Sequence, residues 1–190
     1  MWVWLSGMVM RPIEMAQEAV RRVVKAGECV VDATIGNGHD TLFLCELVGE
    51  CGKVIGFDVQ ATAVASTRQR VEGVAAEVCL HACGHEEMAA HVEGPVAAVM
   101  FNLGYLPRAD KAVITTAETT LPALQQALEL LRSKGVISVM CYPGHEGGGA
   151  EAEAVVAWAG ALDRSEVRVL RYEMVNAPNH PAFLLLLEKQ

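Results

Sequence analysis

The segment Val30-Val31-Asp32-Ala33-Thr34-Ile35-Gly36-Asn37-Gly38-His39-Asp40-Thr41 constrains the fold of this chain more than any other. An apolar run enters a turn with two glycines and a helix-forming stretch follows, so the pattern predicts a buried strand, a tight turn and a helix. Such a turn lets backbone approach a ligand closely and aims the first N–H groups of the helix at it. One strand later, Val54-Ile55-Gly56-Phe57-Asp58 is a second apolar run, and it ends in a carboxylate. A strand, glycine turn and helix followed by an acid at the next strand end describe a nucleoside pocket.

Strand and helix patterns alternate along the rest of the chain. Strands are expected at residues 29–34, 53–58, 76–81, 97–102, 135–141, 166–173 and 182–188, and helices at 39–48, 61–72, 86–91, 116–131 and 150–161. Ahead of them Ile13, Ala16, Ala19, Val20, Val23 and Val24 recur at helical spacing across residues 12–25, with Gly27 as a stop. Short connections suit right-handed crossovers, and the last two strands suit an antiparallel pair. Hydrophobic residues make up 52% of the chain and aromatics only 5%, so the core is expected to be Val, Ala and Leu, as in parallel strands covered by helices on both faces. The fold class expected is α/β. With 190 residues and no linker or repeat, residues 1–190 are expected to form one domain, with 1–27 as an N-terminal helical segment packed on it.

Fifteen Lys plus Arg against 23 Asp plus Glu argue against a broad nucleic-acid surface, so any RNA footprint must be a local patch. The apolar run at residues 1–10 has no basic segment before it and is too short to span a bilayer. The expectation is a cytoplasmic protein without a membrane partner. The six cysteines form no C-x-x-C pair and read as small apolar residues in a reducing compartment, with no metal site expected.

Glycine spacing selects among nucleosides. A dinucleotide turn requires G-x-G-x-x-G, and Thr41 stands where the third glycine belongs. The run Asp32-x-Thr34-x-Gly36-x-Gly38 instead resembles the D-x-G-x-G-x-G signature of class I S-adenosylmethionine-dependent methyltransferases, with Thr34 replacing the first glycine. That resemblance implies a Rossmann-like seven-stranded sheet ending in an antiparallel hairpin, and S-adenosyl-L-methionine as cofactor. It implies that Asp32, Gly36, Asn37 and Gly38 support the methionine part, and that Asp58 holds the ribose hydroxyls. His39 either caps its helix or hydrogen-bonds the methionine moiety. Gln60 is within reach of ribose or adenine, since its amide both donates and accepts. In Cys83-Gly84-His85-Glu86, Gly84 is expected to admit the adenine ring and His85 to stack on it or bond its edge.

Phe101-Asn102-Leu103-Gly104-Tyr105-Leu106-Pro107 resembles the [DNS]-P-P-[YF] loop of methyltransferases that act on amino groups, with both prolines replaced. The resemblance gives Asn102 the task of orienting the target nitrogen and Tyr105 that of packing against the target. Asp110 and His145 are the candidate proton acceptors. Together with Tyr142-Pro143-Gly144-His145-Glu146-Gly147-Gly148 and Asn176-Ala177-Pro178-Asn179-His180-Pro181, these segments make the chain similar to the bacterial family of putative rRNA methylases, whose members include tRNA 5-(aminomethyl)uridine methyltransferases. Methylation of the exocyclic amine of 5-aminomethyl-(2-thio)uridine at the wobble position is what this implies, with the tRNA anticodon stem-loop as partner and a homodimer as assembly. An rRNA base or a small-molecule amine remains open as acceptor.

Overall fold

A computed structural model describes residues 9–104 and 114–190. Seven strands form one sheet: β1 (Cys29–Asp32), β2 (Lys53–Phe57), β3 (Glu77–His81), β4 (Val96–Asn102), β5 (Leu131–Cys141), β6 (Val167–Tyr172) and β7 (Phe183–Lys189). Their order is β3-β2-β1-β4-β5-β7-β6. The first five are parallel, and β7 runs antiparallel between β5 and β6. This is the α/β sheet that the resemblance implies, with the expected C-terminal antiparallel pair. Strand order reverses between β1 and β4, and an open sheet places its ligand cleft at such a reversal.

Helices α1 (Pro12–Val23), α2 (His39–Val48), α3 (Ala61–Arg70), α4 (Ala117–Leu130) and α5 (Gly148–Gly160) cover both faces, with a 3-10 helix at His85–Ala90. Period-two alternation in the strands separates two cores. Val31, Phe57, Val99 and Phe101 pack with Leu124 of α4 and Val155 of α5 on one face. Val30, Val54, Ala98 and Met100 pack with Val20 of α1 and Leu44 of α2 on the other. Truncating either buried phenylalanine to alanine would cost on the order of 3–5 kcal/mol.

Most element ends lie within one or two residues of the expected bounds, and two elements differ more. β5 begins at Leu131, the last residue of the expected helix, and takes in residues 132–134, which the pattern left between elements, with Lys134 at φ 60 and a register shift against β4. The helix expected at 86–91 is a six-residue 3-10 turn, a geometry suited to short pieces. Among the described residues no helix is long and apolar enough to cross a membrane.

Candidate active site

The carboxyl ends of β1, β2, β3 and β4 open on a cleft of about 920 Å³. Gly36, Asn37, His39 and Asp58 lie on its wall, as do Gln60, Gly84, His85 and Asn102. Tyr105 and Asp110 lie outside the described residues.

The turn after β1 takes its shape from two glycines in the left-handed region, Gly36 at φ 53 and Gly38 at φ 75. Gly38 has a packing role rather than a place on the wall: a Cβ there would stand 2.6 Å from Thr67 Oγ1. The same Thr67 hydroxyl donates to the Gly36 carbonyl at 3.3 Å, and Arg70 Nε donates to the Asn37 carbonyl at 2.6 Å. The turn is therefore tied to α3. Gly38 is the N-cap of α2, which makes His39 its first residue and removes the capping alternative for the imidazole.

Asp32 also departs from its expected place. It is fully buried beneath the turn, where Oδ2 accepts from the Thr41 hydroxyl at 2.6 Å and Oδ1 from the Thr34 N–H at 3.2 Å. It shapes the turn from below and is absent from the cleft wall. Burial pushes its pKa up to about 7, assisted by the neighbouring Asp40 charge and opposed by the Thr41 and Thr34 hydrogen bonds.

Asp58 binds the backbone on both sides: Oδ2 accepts from the Gly36 N–H and Oδ1 from the Gln60 N–H, each at 2.9 Å. A carboxylate has about four lone-pair sites, so acceptor capacity remains for vicinal hydroxyls. A Cβ at Gly84 would meet the Glu86 carboxylate, the far end of a flexible side chain that can turn aside. His85 sits edge-on to Phe101, with Nδ1 3.3 Å from the Ala33 carbonyl. A carbonyl only accepts, so Nδ1 carries the proton and Nε2 is an acceptor. Burial lowers the pKa of His85 and keeps the ring neutral, and Nε2 is buried with no partner among the described residues.

The arrangement around Asn102 rests on residues that sequence reasoning did not single out. Asn102 Nδ2 donates to Asp40 Oδ2 at 2.8 Å, and Asp40 Oδ1 accepts from Gln17 Nε2 of α1 at 2.8 Å. The Asn102 backbone N–H donates to Thr34 Oγ1 at 2.7 Å. A carboxylate accepts only, so the amide orientation is determined: Nδ2 faces Asp40, and Oδ1 is left as the acceptor. Asp40 stood in the quoted motif directly after His39, which was its one signal; nothing in the sequence pointed to Gln17. Two positions on, the Gly104 N–H donates to Thr115 Oγ1 at 2.7 Å, and that hydroxyl donates to Glu151 Oε2 at 2.8 Å. The Thr120 hydroxyl donates to Glu151 Oε1 at 2.7 Å. The buried Glu151 of α5 thus anchors the end of β4 to the start of α4. His145 and His180 complete this side of the cleft, with Asn179 and His180 both left-handed at φ 60 and 50.

The family profile described as "Putative rRNA methylase" matches residues 54–188. The chain is 35% identical over 190 residues to the tRNA (mnm(5)s(2)U34)-methyltransferase, chloroplastic, of Arabidopsis thaliana, covering 93% of this chain and 69% of that protein. A crystal structure of a putative rRNA-methylase from Clostridium thermocellum superposes with a TM-score of 0.94 at 40% identity, covering 97% of this chain and all (100%) of the other. A putative methyltransferase of Streptococcus mutans, SMU.1697c, in complex with SAH, superposes with a TM-score of 0.88 at 38% identity, covering 96% and 100%.

Proposed function

We propose, since the chain belongs to the putative rRNA methylase family, that it methylates the exocyclic amine of 5-aminomethyl-(2-thio)uridine at the tRNA wobble position. It is an S-adenosylmethionine-dependent methyltransferase of the rRNA and tRNA methylase kind. The wobble acceptor draws support from the similarity to the Arabidopsis tRNA enzyme. The observation that carries an amine acceptor is the Asp40–Asn102 pair, which leaves Asn102 Oδ1 as a hydrogen-bond acceptor at the end of β4.

The residues present fit the cofactor. Asp58 retains acceptor sites for two ribose hydroxyls, and the orphaned His85 Nε2 is an acceptor for an exocyclic amino group such as that of adenine. Gly36, Asn37 and His39 would hold the methionine end at the start of α2, and Gln60 the ribose or adenine. Bound S-adenosylmethionine supplies a methyl group on a sulfonium, open to in-line displacement. The protein's part is alignment. Asn102 Oδ1 accepts an N–H of the target amine, which turns the nitrogen lone pair away from the acceptor and leaves it available for attack. Asp40 holds Asn102 in that orientation, and Gln17 holds Asp40. Tyr105 and Asp110 retain their proposed roles, packing against the target and accepting a proton.

An alkyl amine near the lysine value of about 10.4 is neutral in roughly one molecule in 10³ at pH 7. With tRNA as substrate, kcat/KM should therefore rise about tenfold per pH unit between roughly pH 7 and 9. A flat profile over that range would exclude a protonated amine as the resting acceptor. Asp58→Ala should weaken cofactor binding by about 100-fold, on a scale of ~1.5–3 kcal/mol for each hydrogen bond to a charged group. Calorimetric titration measures this; unchanged affinity would remove Asp58 from the ribose role.

The acceptor is tested by transfer of labelled methyl to bulk tRNA from cells lacking this protein, followed by nucleoside mass spectrometry. The expected product is 5-methylaminomethyl-(2-thio)uridine, with unmethylated aminomethyluridine accumulating in the cells. Label in rRNA alone, or in no RNA, overturns the tRNA reading.

A further inference from the structure

Three side chains of different donor chemistry meet beside the edge strand β3. Cys83 Sγ, a Glu87 carboxylate oxygen and a His91 ring nitrogen all lie within 4.8 Å of one another. Cys83 is half-buried, and Glu87 and His91 are exposed. The three bracket the 3-10 helix: Cys83 precedes it, Glu87 lies in its first turn, and His91 is its C-cap residue. Gln126 of α4 pins the same helix, accepting from the Ala89 N–H at 2.8 Å and donating to the Glu86 carbonyl at 2.6 Å.

We propose that Cys83, Glu87 and His91 bind a zinc-class divalent transition-metal ion, which braces the 3-10 helix and the cleft wall that begins at Cys83. One sulfur, one imidazole nitrogen and one carboxylate oxygen form a donor set suited to zinc, and three protein ligands leave a fourth tetrahedral position for water. Sulfur and nitrogen donors disfavour calcium and magnesium, which take oxygen ligands. The His91 ring is oriented in advance, packed on His81 at a centroid distance of 4.2 Å and tilted against Phe57 at 6.0 Å. Binding deprotonates the Cys83 thiol: a metal–sulfur bond forms, the S–H bond breaks, and the proton passes to solvent. The ion acts on the loop and takes no part in methyl transfer.

The test uses the full chain, stripped with chelator and titrated with cobalt(II) and then zinc(II). One cobalt per chain should give a near-ultraviolet thiolate charge-transfer band that zinc abolishes. The band should be missing in Cys83→Ser and retained in Cys51→Ser, the control at the exposed thiol. Glu87→Gln and His91→Ala, both at exposed positions, should each weaken zinc binding by more than about 100-fold, because removing even an outer-shell partner costs roughly 10–100-fold. Zinc should raise the unfolding midpoint of the wild type and leave that of His91→Ala unchanged. Absence of a thiolate band, its survival in Cys83→Ser, or zinc affinity in Glu87→Gln and His91→Ala unchanged from the wild type would overturn the site. None of these readouts depends on the methyl acceptor.

Discussion

Asn102→Ala should lower kcat by on the order of 10²–10³-fold while leaving cofactor affinity within about threefold, because the lost group positions the acceptor rather than the donor. The hydrogen bonds that orient Asn102 come from Asp40 and Thr34, so its amide is aligned before any substrate arrives. Removing it leaves the amine free to rotate its lone pair out of line. Single-turnover transfer at saturating cofactor, paired with calorimetric cofactor titration, separates the two quantities. Asp58→Ala is the reciprocal variant, losing affinity with turnover at saturation largely kept. Equal loss of cofactor affinity in both variants would end the division of roles between the ends of β2 and β4.

Asp32→Asn should change how stability depends on pH. The folded-state pKa of Asp32 is raised to about 7 by burial and by the Asp40 charge, so between about pH 4 and 7 the folded protein binds one more proton than the unfolded chain. Its stabilising contribution is complete below the unfolded pKa and is lost as pH rises through about 7. From pH 5 to pH 8 the wild type should lose about 3 kcal/mol relative to Asp32→Asn, at ~1.36 kcal/mol per pKa unit. His85 runs the other way: its pKa is lowered by burial, so its contribution is present above the unfolded value and lost as pH falls. Because both proteins carry His85, the difference between them isolates Asp32. Urea unfolding at pH 5 and pH 8 measures it, and a difference that stays constant with pH would show that Asp32 ionises as an ordinary carboxyl.

The fold was legible because it rests on local periodicity. Val30 and Val31 alternate between two cores, and β4 is nearly uniformly apolar because both its faces are covered. The glycine turn and Asp58 were equally visible, since a left-handed turn and an acid at a strand end leave short-range marks. Even so, the side chain of Asp32 was expected on the cofactor and lies beneath the turn. Sequence spacing places a residue on a strand end, while the nearest polar partner, here the Thr41 hydroxyl on α2, decides which way a carboxylate turns.

By itself, the sequence determined an α/β sheet with a nucleoside turn after β1, an acid after β2 and an amide at the end of β4, features written in period, glycine and residue type. Tertiary structure alone decided what those groups are prepared to do. Gln17 of α1 and Asp40 of α2 converge on Asn102 across long stretches of chain and direct its amide oxygen. Glu151 of α5 anchors the strand end through Thr115. Cys83, Glu87 and His91 meet around the 3-10 turn that follows β3. The physical reason is common to all three cases: hydrogen bonds and metal donors are directional and short-ranged. Their partners come from whichever elements packing brings within about 3 Å, and hydrophobic periodicity does not encode that proximity.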